Sequence, residues 1–313
     1  MTHRFYSNGK LLLTGEYLVL DGALSLALPS KYGQTLTIKE LDYPEMKWAS
    51  LDHKGEAWFH TSFDINLYKN GDFESNDNLE NLKPTANEVL KMLHKILWEA
   101  KRLNPEFLMG SEGYEVQTDL SFPRDWGLGS SSTLINNIAQ WAKVDPYVLL
   151  SKTFNGSGYD IACAQHNGPL TYRLEGIQPI VKRNDFDPPF KDSLFFVYLN
   201  KKQNSREGIS RYQSLNFDKK ALILKISKIT RECISCVEIQ KFKELMNRHE
   251  LLLSEALNMT PVKKLLFPDF DGTVKSLGAW GGDFVLAIGD ANTPDYFLRK
   301  GYETVIPYEQ IIL

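Results

Sequence analysis

The chain has 313 residues, 42% hydrophobic, 24% charged and 12% aromatic, a composition that excludes a disordered chain, a collagen-like repeat and a disulfide scaffold. Lys and Arg number 36 against 39 Asp and Glu, a net charge of -3 without long runs of either sign, so neither nucleic acid nor an anionic membrane is an expected partner. Three cysteines, a start unlike a signal peptide and no stretch of about 18 apolar residues point to a cytoplasmic protein.

The length suits two domains or one large one, and a cleft between two lobes is expected. The start reads as strand-rich: residues 10–14 and 24–28 are apolar runs, and 33–41 alternates Leu36 and Ile38 with Thr35, Thr37 and Lys39. Residues 42–83 lack a period and predict hairpins and loops. Thr85 and Glu88 form a capping box ahead of Val89, Leu93, Ile96, Leu97 and Ala100, which predicts a helix over 85–102. From 114 to 122, Tyr114, Val116, Leu120 and Phe122 alternate with Glu115, Gln117, Asp119 and Ser121, as in a strand. That strand runs into PRDWGLGSSSTLINNIAQWAKV, a glycine-serine loop opening a second helix.

In the second half, residues 170–174 and 194–199 predict strands, with a turn-rich connection near 185–189. Two amphipathic helices follow, one with Leu222, Ile226, Ile229 and Cys233, the other with Phe242, Leu245, His249, Leu252 and Ala256. The turn GAWGG, the strand FVLAI and a short tail close the chain. Strands and helices that do not alternate strictly predict an α+β class.

Three glycine-rich loops could carry chemistry. In Gly127-Leu128-Gly129-Ser130-Ser131-Ser132, bare glycine backbone and the N-H groups of the next helix suit an anion, while the serine hydroxyls could bond phosphate or Mg²⁺; a Ser-rich helix cap reads the same way. It is neither a Walker A loop nor a complete dinucleotide fingerprint. Asn155-Gly156-Ser157-Gly158-Tyr159-Asp160 is either a capped turn or a rigid mount holding Asp160 beside a substrate hydroxyl. Gly278-Ala279-Trp280-Gly281-Gly282-Asp283 precedes the last apolar strand. Lys201, Lys202, Arg206 and Arg211 follow a predicted strand and suit an anionic acceptor as well as a solvated basic loop. Cys233 and Cys236 share zinc or redox spacing but lie on a predicted helix without a second ligand pair, so a structural role is expected; His249 is expected to be a bonded core residue.

Taken together, these loops resemble the GHMP kinases, the superfamily of galactokinase, homoserine kinase, mevalonate kinase and phosphomevalonate kinase. Asn8-Gly9-Lys10-Leu11-Leu12-Leu13-Thr14-Gly15-Glu16-Tyr17 resembles the first family motif, PRDWGLGSSS the phosphate loop and LGAWGGDFVLA the third motif, in the family's order. GSGYDIACAQHNGPLTYRL is most similar to the phosphomevalonate kinase branch. The resemblance implies a two-domain α+β fold: an ATP-binding domain like the second domain of ribosomal protein S5 with a left-handed βαβ unit over 1–170, and a ferredoxin-like domain over 171–313, with ATP in the cleft between them. It implies transfer of the ATP γ-phosphoryl group to a small, anionic acceptor, foremost phosphomevalonate, with mevalonate or a non-catalytic nucleotide- or metabolite-binding role as alternatives.

ATP and Mg²⁺ are the implied cofactors. Gly127, Leu128, Gly129, Ser130, Ser131 and Ser132 would hold the phosphates, Ser131 would also be the metal ligand, and Asp160 and Lys10 would be catalytic. Glu16, Lys201, Ser205, Arg206, Gly281, Gly282 and Asp283 would line the acceptor side. The chain departs from the family in three places: Asn8 replaces a proline, Trp280 replaces a glycine, and VDPYVLLSKTF offers Leu149 and Leu150 where the family commonly has a metal-binding Glu. Trp280 would narrow the acceptor pocket or pack into the core. The oligomeric state is left open.

Overall fold

The computed structural model describes residues 1–70, 84–154 and 156–313. Residues 71–83, Asn155 and the Thr85 side chain of the expected capping box lie outside the described residues. The strands are β1 (Thr2–Thr14), β2 (Ser25–Leu41), β3 (Glu45–Leu51), β4 (Ala57–Asp64), β5 (Gly113–Leu120), β6 (Leu170–Glu175), β7 (Gln178–Arg183), β8 (Leu194–Tyr198), β9 (Thr273–Ser276), β10 (Phe284–Ile288) and β11 (Val305–Pro307). The helices are α1 (Leu67–Asn70), α2 (Pro84–Leu103), α3 (Ser130–Ala142), α4 (Pro146–Thr153), α5 (Tyr159–Gln165), α6 (Ser205–Ser214), α7 (Lys219–Ile234), α8 (Ile239–Leu257), α9 (Val262–Leu266), α10 (Thr293–Arg299) and α11 (Tyr308–Ile311). Two compact units interleave along the chain: one is Met1–Gly9, Tyr32–Arg124 and Gly129–Gln165, the other Lys10–Lys31, Asp125–Leu128 and His166–Leu313.

In the first unit, β3 pairs antiparallel with β4 and parallel with β5, and β5 pairs antiparallel with residues 34–41 of β2. Each strand puts alternate side chains on one face: Leu36 and Ile38 of β2, Met46 and Trp48 of β3, Phe59 and Phe63 of β4 and Val116 of β5 are all buried. That face meets Leu93, Ile96, Leu97 and Ala100 of α2 and Ile135, Ile138 and Ala139 of α3 in one core. The 3.6-residue spacing of those apolar positions is why these segments are helices with a single buried stripe.

In the second unit, β8, β9, β10 and β11 form an antiparallel sheet ordered β11-β8-β10-β9. Numbered along this part of the chain, the order is fourth-first-third-second, with helices after the first and third strands, which is the ferredoxin-like arrangement. Strand β10, FVLAI, is central and buried at every residue, consistent with its unbroken apolar run. Phe195 and Val197 of β8, Val285 and Ala287 of β10, Phe267 and Phe297 form one core cluster. Also in this unit, β6 pairs with β7 and with Ser25, Leu26 and Ala27 of β2.

Two predicted strands, 24–28 and 33–41, are one 17-residue strand. Pro29, which suggested a break, falls between the residues that pair with β6 and those that pair with β5, where neither ladder needs its missing N-H. Strand β1 begins at Thr2, eight residues earlier than its apolar run, because its first half is exposed and carries no buried pattern to read. The three-residue β11 lies in what reads as a tail.

Candidate functional site

The second unit assembles part of the glycine-serine loop from three distant stretches. The Lys10 N-H donates to the Leu128 carbonyl (3.0 Å) and the Lys10 ammonium to the Gly127 carbonyl (2.7 Å), so β1 holds the loop by backbone and side chain at once. Gly127 has φ +68°, and a Cβ there would lie 2.5 Å from the carboxyl carbon of Asp283. Only glycine lets that carboxylate come so close. Asp283, itself at φ +50°, is fixed by its N-H to the Lys201 carbonyl (2.7 Å), by its carbonyl to the Leu199 N-H (2.8 Å) and by Oδ1 to the Gln203 N-H (3.1 Å). Burial raises the Asp283 pKa, opposed by the nearby positive charges of Lys10 and Lys202.

The third glycine motif is packed on the same turn. At Gly282 a Cβ would meet the Gln203 side chain at 2.5 Å and the Lys201 carbonyl at 2.6 Å, and Gly281 has φ +85°. Trp280 is 1% exposed, its indole N-H is buried without a hydrogen-bond partner, and its carbonyl accepts from the Gln203 side chain (3.1 Å). Lys201, Lys202, Ser205 and Arg206 are exposed at the end of β8 and the start of α6, where the Asn204 side chain caps the helix through the Arg206 N-H (3.1 Å).

In the first unit, Gly129 is the N-cap of α3 at φ +89° and supplies no side-chain acceptor to the helix's first N-H groups. A 13-residue helix opening with uncapped donors, and with no acidic residue in its first turn, presents a partial positive charge suited to phosphate. The three serines differ in use. Ser132 is buried and its hydroxyl donates back to the Gly129 carbonyl (2.9 Å), whereas Ser131 is exposed. Thr133 donates to the Gln34 side chain (2.9 Å) and ties the helix start to β2. Asp160 stands partly exposed in the first turn of α5, its Oδ1 accepting the Ile161 N-H (3.1 Å), and α5 packs on α3. Leu149 and Leu150 of α4 are core residues of this unit.

Glu16 has a different setting from the loops. It is 1% exposed, ion-paired with Lys275, which is fully buried, and its other oxygen lies 3.4 Å from His249 Nε2. Burial pushes its pKa up to about 7, against the pull of Lys275. His249 accepts the Gly15 N-H (3.0 Å), the bonded core histidine expected from sequence. Glu250 accepts the Ser276 N-H (3.1 Å) and hydroxyl (2.7 Å). Cys233 is buried, Cys236 lies beyond the end of α7, and neither is in a disulfide.

Lys275, Glu250 and Gln203 are the residues of this neighbourhood that motif reading passes over. Only Lys275 leaves a trace in the sequence, as a lone cation in the otherwise uncharged strand Thr273–Ser276. Among the described residues no group of three or more His, Cys, Asp or Glu could hold a metal. Nor is any helix among them long and apolar enough to cross a membrane.

No family model matches the chain, and no curated protein matches its sequence. Solved structures do match its fold. The mevalonate kinase of Methanococcus jannaschii superposes with a TM-score of 0.71 at 17% identity, over 98% of this chain and 97% of that one. The phosphomevalonate kinase of Streptococcus pneumoniae in complex with phosphomevalonate and AMPPNP gives 0.63 at 15%, over 95% of each chain. A D-glycero-D-manno-heptose 1-phosphate kinase from Bacteroides thetaiotaomicron gives 0.64 at 13%, over 100% of this chain and 96% of that one. With two sheets, a ferredoxin-like second unit and alignment over nearly the whole length, the chain has the two-domain fold of the GHMP kinases.

Proposed function

We propose that the chain is an ATP-dependent small-molecule kinase of the GHMP type, in which residues 1–170 bind the nucleotide and 171–313 form the acceptor side. The observation that carries this reading is the mounting of the glycine-serine loop: Lys10 grips the Gly127 and Leu128 carbonyls, Gly127 admits Asp283, and α3 begins at Gly129 with uncapped N-H donors. Phosphoryl transfer asks a protein chiefly for positioned donors and charge neutralisation, and this loop supplies both. Asp160 orients the acceptor hydroxyl or accepts its proton, and Lys10 stabilises charge on the transferring group.

Mg²⁺ fits this donor set only as the partner of ATP. The chain offers the Ser131 hydroxyl, and the family's Glu position is filled by the buried Leu149 and Leu150, so phosphate oxygens and water must supply most ligands. When bound, the ion neutralises phosphate charge. The acceptor is anionic, foremost phosphomevalonate, with mevalonate the alternative; the exposed Lys201, Lys202 and Arg206 beside the Asp283 turn favour the anion. Incubation with Mg-ATP and mevalonate, phosphomevalonate, sugars or sugar phosphates should give ADP release dependent on one of them. ATP binding with no acceptor-dependent ADP release across the panel would refute the kinase reading in favour of a binding module.

A further inference from the structure

The least expected group of side chains in the second unit is Glu16, His249, Glu250 and Lys275, each no more than 4% exposed. They come from the turn after β1, from α8 and from β9, and their hydrogen bonds constrain where the protons lie. Because His249 Nε2 accepts the Gly15 N-H, its ring proton is on Nδ1, which is buried without a hydrogen-bond partner. Lys275 donates to Glu16 Oε1 and to the Ser276 carbonyl (2.8 Å). Both Glu250 oxygens accept from Ser276. Glu16 Oε2 has no hydrogen-bond partner, and the atom 3.4 Å from it is the acceptor Nε2.

Two buried acceptors facing each other are unfavourable unless one carries hydrogen. The charges agree, since one ammonium and two carboxylates in a dry interior are neutral only when one carboxyl is protonated. Both Glu250 oxygens have a partner in Ser276, whereas Glu16 Oε2 has none, which favours Glu16 Oε2 as the site of the proton.

We infer that Lys275, Glu250 and His249 are positioning residues, locking the Gly15-Glu16-Tyr17 turn to the start of the 277–283 loop around a Glu16 that is held as the neutral acid. The lock has two outputs. Tyr17, at φ +61°, stacks on Tyr212 of α6 (5.6 Å between ring centres), the helix whose start carries Ser205 and Arg206. Ser276 leads into the loop ending at Asp283, which fixes the backbone of Lys201 and Gln203. Both outputs reach the proposed acceptor side, so this functional consequence rests on the kinase reading. The groups facing Glu16 are Lys275 from β9, His249 and Glu250 from α8, and Tyr17 beside it on the chain; Cys233 of α7 lies in the field of Lys275.

The test compares wild type, Lys275→Met and Glu16→Gln. Lys275→Met should raise KM for phosphomevalonate, or whichever acceptor supports ADP release, at least tenfold, change the dissociation constant for ATP less than twofold, and speed amide exchange at Gly15 and Ser276. Should Lys275→Met not fold, Lys275→Gln combined with Glu250→Gln, which leaves no buried charge, takes its place with the same readouts. Glu16→Gln should flatten the pH dependence of the urea midpoint between pH 5 and 8 relative to wild type. An unchanged acceptor KM with unchanged exchange at Gly15 and Ser276 would overturn the positioning role, and a wild-type pH dependence in Glu16→Gln would overturn the protonated Glu16. If wild type turns over no acceptor, the kinase reading fails alone, and amide exchange and the urea midpoint still judge the lock.

Discussion

Gly127→Ala tests whether the approach of Asp283 to the loop is the reason a glycine stands there. Two costs are separable. At φ +68°, alanine pays left-handed backbone strain of about 1–2 kcal/mol. Its Cβ would also lie 2.5 Å from the Asp283 carboxyl carbon and 2.6 Å from Oδ2, so the carboxylate must move and lose the Gln203 N-H, a bond to a charged group worth about 1.5–3 kcal/mol. The sum is about 2.5–5 kcal/mol. Gly55→Ala is the control, because Gly55 has φ +80° and nothing within 4 Å of the added Cβ, leaving only strain. Urea denaturation should place Gly127→Ala about 2 kcal/mol below Gly55→Ala. Asp283→Gly removes the carboxylate and suits φ +50°, and in that background Gly127→Ala should cost no more than Gly55→Ala. A loop displaced by about 1 Å should also lose turnover about 100-fold. Equal costs for the two alanines, or additivity with Asp283→Gly, would refute the argument.

Asp160→Ala should abolish turnover and leave ATP affinity within about threefold, since the N-H groups proposed to bind phosphate belong to α3; full activity would remove Asp160 from the proposed mechanism. Ser131→Ala should weaken use of Mg-ATP, and an unchanged KM and rate would show that this exposed hydroxyl is not a ligand. For Glu16, a folded-state pKa of about 7 against 4.5 means that folding binds a proton, so this contribution is full below pH 4.5 and fades as pH rises to about 7. Relative to wild type, Glu16→Gln should therefore gain up to about 3 kcal/mol between those limits in pH-dependent urea titrations. His94 has the opposite sign: burial lowers its pKa from 6.5 to about 4, so its contribution is full above pH 6.5 and is lost toward pH 4. His94→Phe should reduce the acid loss of stability by up to about 3 kcal/mol, and an unchanged acid limb would refute the assignment.

The elements that sequence reading places well are those whose burial is one-sided or complete over several residues. Strand β10, the helices α2, α7 and α8, and the alternation of β5 follow from apolar spacing alone, because the core takes one stripe of each. What escapes has little burial to read: the first half of β1 and strand β7, a hairpin partner of β6, are largely exposed, and the three residues of β11 are held by a ladder to β8 about a hundred residues earlier. The loops are legible for a related reason. Their glycines answer local demands, a left-handed φ at Gly127, Gly129 and Gly281, or room for the Lys201–Gln203 turn at Gly282, and such demands are written where they act.

Charge pairing in the interior is written nowhere locally. Lys275 in Thr273–Ser276 signals that a charged group must be neutralised, without saying by what, and Glu250 does not stand out among the charged residues of α8. The partner of Lys275 is 259 residues earlier in the chain, and the Gly15 N-H that fixes the His249 tautomer is 234 residues from it. A buried cation needs a counter-charge, and buried acids in excess of cations need protons. Glu16, within a run of buried residues from Leu11 to Val19, meets both conditions. The Glu16 carboxyl, which the motif resemblance would give to an acceptor, is ion-paired with Lys275 in the protein's own interior.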